Sequence, residues 1–193
     1  MRSIILALVL ILGLQSWTKA DDIRDFEIEG MSVGDSALDY FSETQINSFL
    51  KIQYPSSDKF IGYESNLSYN TYDAVSFHFK KKDKNYKVFS LKGIKNYNNK
   101  LNICRKEKKK IVLEIENTFD LKNKKTYTND FGGKSGKSIA YITDFELSKG
   151  GFIRIWCTNW DSKTEKEKGW KDSLNVGVSS QEFMNWLNNE AYK

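Results

Sequence analysis

Residues 132–138, GGKSGKS, have the residue types of a phosphate-binding loop and raise the question of nucleotide binding. Such a loop reads G-x-x-x-x-G-K-[ST], because this spacing wraps backbone N–H groups around the phosphates. Residues 136–138 supply the end of the pattern, but Phe131 occupies the position of its first glycine. A phosphate-binding loop also opens a helix, whereas residues 139–143, IAYIT, predict a strand. The sequence therefore predicts a basic loop that enters a strand, and no nucleotide binding.

The only histidine, His78, limits the nucleophilic and zinc chemistry open to this chain. A Ser-His-Asp or Cys-His arrangement would have to use it, and zinc sites of the usual His and Cys type are excluded by count. The alternation of residues 72–81 places His78 on a polar strand face beside Ser76 and Lys80, which predicts a surface histidine. We predict no catalytic residue, no cofactor and no metal site.

Trp160, Asp161 and Trp170 form the pattern that most favours ligand contact. A tryptophan beside a carboxylate is typical of sugar-binding surfaces, so these residues are candidate contacts for a glycan or a protein partner. The alternative is that the tryptophans belong to the core, since 14% of the chain is aromatic. A glycosidase needs two facing carboxylates, and a carboxylate-based glycan hydrolase is therefore the alternative function.

Basic residues are concentrated between positions 80 and 110, where the sequence has thirteen Lys and Arg residues and only two acidic residues. This strip could contact an anionic membrane or a polyanion, and the candidate residues for anion contact are Lys80, Lys81, Lys82, Lys108, Lys109 and Lys110. The other interpretation is a solvated face, because the chain is rich in Lys and Asn throughout, as AT-rich codon usage produces. Nucleic-acid readers depend on Arg for bidentate contacts; with so few arginines, no nucleic-acid partner is predicted.

The first twenty residues predict the compartment. Arg2 precedes an apolar run over residues 4–14. Ala20 ends a short stretch that has small residues at the positions a signal peptidase recognises before it cleaves. The run is too short to cross a bilayer comfortably as a helix, although a retained anchor is the alternative. We predict a secretory signal at residues 1–20, cleaved near Ala20, and a soluble periplasmic or secreted domain at residues 21–193 with no transmembrane segment.

Cys104 and Cys157 are the only cysteines. Exported proteins mature where thiols are oxidised, so the sequence predicts one disulfide between them, with two free thiols as the alternative. A redox-active pair would require Cys-x-x-Cys spacing, which this chain lacks.

Capping patterns and hydrophobic periodicity predict the elements. Ser42 and Gln45 form a capping box that opens a helix over residues 43–52, preceded by a second short helix at 33–41. Together they predict an N-terminal helix–turn–helix shape. A similar box at Ser179–Glu182 opens a final helix.

Alternating segments predict an antiparallel hairpin of residues 72–81 and 86–94, another of 138–147 and 151–158, and a short strand near 174–178. Within residues 101–119, a few apolar residues alternate as in a strand. Over the whole segment, however, apolar residues recur at helical spacing for five turns, and this longer pattern predicts a helix. Residues 120–137 predict a loop. The fold class is α+β: a single domain with an antiparallel sheet and helices on one face.

Residues 25–41, DFEIEGMSVGDSALDYF, resemble small, exported, uncharacterised proteins of AT-rich marine bacteria (Pelagibacter-like). Residues 135–138 and 155–161 are similar to the C-terminal half of the same proteins. The resemblance implies an exported single domain and no particular activity. Residues 29–32 with the helices and hairpin that follow are also similar to the start of BamE-type envelope proteins, although the lipid-anchoring cysteine of those proteins is absent here.

Taken together, these patterns predict an exported, non-enzymatic protein that binds an envelope component or a protein partner.

Overall fold

The computed structural model describes residues 20, 22–98, 100–130 and 138–193. Its strands are β1 (Glu27–Ile28), β2 (Met31–Ser32), β3 (Leu50–Ile52), β4 (Phe60–Ser65), β5 (Ala74–Lys80), β6 (Ser90–Asn96), β7 (Leu121–Asp130), β8 (Ile139–Leu147), β9 (Phe152–Asn159) and β10 (Ser173–Ser179). Its α-helices are α1 (Glu43–Ser48), α2 (Leu101–Thr118), α3 (Ser162–Lys168) and α4 (Gln181–Asn189).

Eight of these strands form one antiparallel sheet in the order β3-β4-β5-β6-β10-β9-β8-β7, and β1 and β2 form a separate short hairpin. The order describes two four-stranded meanders that meet where β6 pairs with β10. Helix α2 lies between the meanders in sequence and α4 follows the second one. The predicted α+β class with a large antiparallel sheet is confirmed, as are both predicted hairpins, β5–β6 and β8–β9.

Side chains alternate between the two faces of this sheet, as strand geometry requires. Along β10, Leu174, Val176 and Val178 lie on one face in the main hydrophobic core. Ser173, Asn175, Gly177 and Ser179 alternate with them and lie on the opposite face. We call the first the core face and the second the groove face.

Helix α2 covers the core face through the stripe that its sequence predicted. Cys104, Lys108, Val112 and Ile115, spaced three or four residues apart, are the buried positions of the helix. Cys104 is bonded to Cys157 of β9, with an S–S distance of 1.98 Å and a Cα–Cα distance of 6.0 Å. The predicted disulfide and the helical interpretation of residues 101–119 are both confirmed.

Helix α4 lies on the groove face, so the prediction that all helices share one face is wrong. Its Phe183 and Trp186 pack against Phe60 of β4 in a second, smaller apolar cluster. Phe60 belongs to the groove face because it alternates with Ile61, which lies in the main core. The Ser180 hydroxyl accepts the first free N–H of the helix, from Phe183, which puts the N-cap one residue later than the sequence pattern indicated.

The structure does not show the predicted N-terminal helix–turn–helix. The capping box of Ser42 and Gln45 is present, but α1 ends at Ser48 and residues 50–52 become strand β3. Within the predicted helix at 33–41, only Ala37–Asp39 are helical, in a single 3₁₀ turn. This segment bonds to a neighbouring part of the chain instead of to itself: Gly34 N–H donates to the carbonyl of Val88, and Ala37 N–H to that of Tyr86.

The predicted loop at 120–137 is wrong for residues 121–130, which form the edge strand β7 paired along its length with β8. Most of its side chains are exposed on both faces, so the alternation that signals a half-buried strand is missing from its sequence. Residues 131–137 lie outside the described residues. Strands β3 and β4 were also not predicted.

Ala20, the residue before the predicted cleavage point, pairs its backbone with residues 118–120; the signal segment and its cleavage stay predictions. Among the described residues, no helix is both long and apolar enough to span a membrane.

Candidate functional site

The candidate site is a groove on the groove face, whose floor consists of two neighbouring rows of cross-strand partners. The first row runs through Gly62, His78, Ser90, Ser179 and Phe152. The second row runs through Glu64, Ser76, Lys92, Gly177, Arg154 and Asp144. Because register partners share a face of the sheet, strand pairing alone brings these residues from six strands into one surface.

Small residues at the centre of this surface create the depression. Ser76, Ser90, Gly177 and Ser179 line the groove together with larger side chains around them. The Ser90 and Ser179 hydroxyls are 2.9 Å apart and hydrogen-bonded to each other. The groove has a volume of about 400 Å³, which is in the range of sites for small organic ligands.

The walls of the groove are largely apolar. Helix α4 contributes one wall and strand β9 the other; their side chains in the lining are Phe183, Met184, Leu187, Phe152 and Trp156. Except for Phe183, these side chains are only partly buried, so each offers apolar surface to a ligand. An apolar lining around a few polar groups is the usual composition of a small-molecule site.

His78 lies in the floor of the groove and is only 8% exposed, so the prediction of a surface histidine is wrong. Helix α4 covers the strand face that looked polar in the sequence, and the Phe183 ring lies 4.8 Å from the imidazole. Nε2 is 2.9 Å from the Tyr54 hydroxyl, while Nδ1 has no hydrogen-bond partner among the described residues. Burial, assisted by the charge of Lys92, lowers the pKa of His78 from 6.5 to about 3, so the ring is neutral near pH 7.

The arrangement of His78 requires a glycine opposite it. A Cβ at Gly62 would lie 2.4 Å from Nε2 and 2.5 Å from Cδ2 of the imidazole. The imidazole therefore packs directly against the Gly62 backbone, and any larger residue at position 62 would displace it.

Two further polar groups of the second row lack partners. The Ser76 hydroxyl is fully buried and makes no hydrogen bond within the described part of the chain. The Lys92 ammonium lies 6.0 Å from the centre of the Trp156 ring, and no carboxylate of the described residues forms an ion pair with it. Burial lowers the pKa of Lys92, opposed by Glu64 two strands away in the same row.

The carboxylates at the rim of the groove are already occupied by cations. Asp144 accepts two hydrogen bonds from Arg154, at 2.7 and 2.8 Å, and a third from the Tyr127 hydroxyl. Glu146 accepts from Lys122 at 2.7 Å. The side chain of Arg154 is held by Asp144, which raises the pKa of Arg154. The free charge of the groove lining is therefore concentrated on the lysines.

Trp160, Asp161 and Trp170 lie together, but away from the groove. The rings of Trp160 and Trp170 are 4.6 Å apart, and the Trp170 side chain is half exposed. The Asp161 carboxylate caps α3 by accepting from the backbone of Lys163 and Thr164. Hydrogen bonds from the Ser138 and Thr164 hydroxyls and from these amides lower the pKa of Asp161 to about 2. Asp161 therefore serves as an ionised structural cap.

The six candidate lysines divide between two regions. Lys80 pairs with Glu182 of α4 at 2.9 Å and Lys81 with Asp58 at 2.7 Å; Lys82 lies beside Lys81 in a shallow depression at the β5–β6 turn. The other three lie on α2, where Lys108 and Lys109 line a depression against β7 and β8 and Lys110 is exposed. Lys108 is buried and donates to the Thr143 hydroxyl at 2.7 Å.

The GGKSGKS stretch connects β7 to β8, two paired strands, and does not open a helix. Only Ser138 of this stretch is among the described residues. Its hydroxyl donates to Asp161 at 2.6 Å and accepts from the Asp161 N–H, so Ser138 ties the start of β8 to the N-terminus of α3.

Among the described residues, no group of three or more His, Cys, Asp or Glu could hold a metal ion. Comparison of the chain with protein-family models, with characterised proteins and with solved structures gave no match.

Sequence reasoning missed the groove, although part of its signal was present. The alternation of β5 correctly placed Ser76 and His78 on one face. The partners that complete the floor, Lys92 and Gly177, come from other strands, and only the register aligns them.

Proposed function

We propose that this chain is an exported, non-enzymatic binding protein, and that a small ligand with an apolar body occupies the groove between α4 and the sheet. The observation that carries the proposal is the combination of an apolar-walled groove of about 400 Å³ with two buried, unpartnered polar atoms in its floor, Ser76 Oγ and His78 Nδ1. Buried polar groups are normally hydrogen-bonded, so this floor is suited to a ligand that supplies the missing partners.

Two further observations support export and binding over catalysis. The Cys104–Cys157 disulfide suits an oxidising compartment. The groove carboxylates Asp144 and Glu146 are held in ion pairs, which favours a structural role for them over acid–base chemistry. An association with the cell envelope, which the sequence resemblance implies, is compatible with a ligand-binding groove.

Filling the groove with a larger side chain should weaken ligand binding. A Cβ at Gly177 would meet its nearest neighbours at 3.5 Å or more, so the strand accepts a side chain there, and Gly177→Leu would project it into the groove. We expect the wild-type protein to bind N-phenyl-1-naphthylamine, a neutral aromatic probe, saturably. Gly177→Leu should weaken this binding by about tenfold or more, because the displaced apolar contacts are worth at least ~1.4 kcal/mol.

Fluorescence titration of the probe measures the effect. The matched control is Asn129→Leu, which adds the same side chain at an exposed position of β7 outside the groove and should leave affinity unchanged. Absence of saturable binding to the wild-type protein, or equal affinities for wild type and Gly177→Leu, would contradict the proposed function.

A further inference from the structure

We infer that the ligand of this groove is a carboxylic acid with an apolar body, whose carboxylate is bound by Lys92, Ser76 and His78. This inference rests on the proposed function and names the chemical class of its ligand. The groups in the floor that lack partners determine the class, because they must be complementary to the head group of the ligand.

All three unpartnered groups are hydrogen-bond donors. The Lys92 ammonium can only donate, and the Ser76 hydroxyl has one proton to donate. The Tyr54 hydroxyl has no acceptor other than His78 Nε2 within the described residues. We assign the Tyr54 hydroxyl as the donor to Nε2, and in this tautomer the neutral imidazole carries its own proton on Nδ1. The head group of the ligand must accordingly accept hydrogen bonds.

The positions of these donors allow them to converge. Ser76 and Lys92 are direct register partners on β5 and β6. His78 follows Ser76 by two residues on the same face of β5, and all three residues line the groove. Two nearby acceptors are engaged elsewhere: Asp144 with Arg154, and Ser90 with Ser179. Glu64 is the register partner of Ser76 on β4, two strands from Lys92, and forms no ion pair with Lys92 within the described residues.

The charge balance favours a carboxylate over a phosphate. Arg154, whose planar fork would suit a phosphate dianion, is held by Asp144 through two hydrogen bonds. One free ammonium and two neutral donors match a monoanion with two oxygens. The apolar side chains of Trp156, Phe183 and Leu187 surround the same groove, so the acid must carry an alkyl or aromatic body.

A series with one body and three head groups tests the inference. Decanoate, decanol and decylamine are used to displace N-phenyl-1-naphthylamine from the wild-type protein. We expect decanoate to bind about 10- to 100-fold more tightly than decanol, as a charge-assisted pair with hydrogen bonds provides, and decylamine to bind most weakly. The pair 1-naphthaleneacetate and 1-naphthaleneethanol repeats the comparison with an aromatic body and tells an aryl ligand from an alkyl one.

Substitution of Lys92 locates the head group. Lys92→Met keeps an unbranched side chain of similar length, and we expect it to reduce decanoate affinity about tenfold or more, while decanol and the probe bind as before. Ser76→Ala should cause a smaller loss in the same direction. Lys166→Met is the matched control, since it removes a positive charge from an exposed position of α3 outside the groove and should change decanoate affinity little.

The outcomes separate the two proposals. Equal affinities for decanoate and decanol, with the probe still bound, would overturn the carboxylate inference and leave the proposed function in place. A tighter acid whose affinity is unaffected by Lys92→Met would also overturn it, because the head group would then lie elsewhere. No saturable binding of probe, acid or alcohol would overturn both proposals.

Discussion

Replacing both Cys104 and Cys157 with alanine is expected to lower the free energy of unfolding by roughly 4 kcal/mol. The disulfide joins residues with a sequence separation of 53, and the loop that it closes lowers the conformational entropy of the unfolded chain. The bond also fastens α2 to β9 at the core face, where both cysteines are fully buried. Since a domain of this size is stabilised by only about 5–15 kcal/mol, the loss would remove a large part of its stability. Urea denaturation followed by circular dichroism measures the change.

Reduced wild-type protein is the matched control for this pair. It keeps both sulfur atoms in the core but loses the covalent link, so its stability should lie close to that of the double variant. The variant itself should not respond to reductant. A decrease below about 1 kcal/mol in both samples would contradict a large contribution from the closed loop.

The second large effect is a loss of stability in mild acid that depends on His78. Burial lowers the pKa of His78 from 6.5 to about 3, so below pH 6.5 the unfolded chain binds a proton that the folded chain does not. The free energy of unfolding therefore falls as the pH falls, by about 1.4 kcal/mol for each pH unit between pH 6 and pH 4. The stabilisation is fully present above pH 6.5 and is lost progressively toward pH 3.

His78→Gln removes the titrating group and should flatten this part of the profile relative to wild type. Tyr54→Phe is the control, because it removes the hydroxyl at Nε2 but leaves the imidazole buried, and it should retain the acid dependence. Carboxyl groups with a lowered pKa, such as Asp161, lose their stabilisation from about pH 5 downward in both proteins, so the difference between the two profiles isolates His78. Parallel profiles for wild type and His78→Gln would show that His78 does not titrate as its burial requires.

Local patterns predicted much of the fold. The Ser42–Gln45 capping box forms as its spacing indicates, and the stripe of Cys104, Lys108, Val112 and Ile115 is buried as a helix. These features are set by contacts between residues a few positions apart, which a sequence displays directly. The hairpins β5–β6 and β8–β9 are of the same kind, since their turns and alternation lie in one continuous stretch.

The failures share a physical cause, which is dependence on distant partners. Strand β7 is polar on both faces, and its pairing with β8 uses backbone groups that are the same for every sequence. Residues 33–41 form no α-helix, because the amides of Gly34 and Ala37 bond to the carbonyls of Val88 and Tyr86. The groove is a stronger case: its floor combines six strands, β4, β5, β6, β10, β9 and β8. A register shift of one residue in any of them would move the lining side chains of that strand to the core face.

The sequence by itself determined the α+β class, the antiparallel hairpins, the α2 stripe and the cysteine pair, because each depends on local periodicity or on a count. Only the tertiary structure decided that α4 covers the face opposite α2, and so turned His78 from an expected surface residue into a buried one. The reason is that α4 packs on Phe60, more than a hundred residues earlier in the chain. The sequence shows which side chains could ionise or form hydrogen bonds. Their burial, which changes their pKa and their available partners, depends on residues far away in the chain that no local pattern identifies.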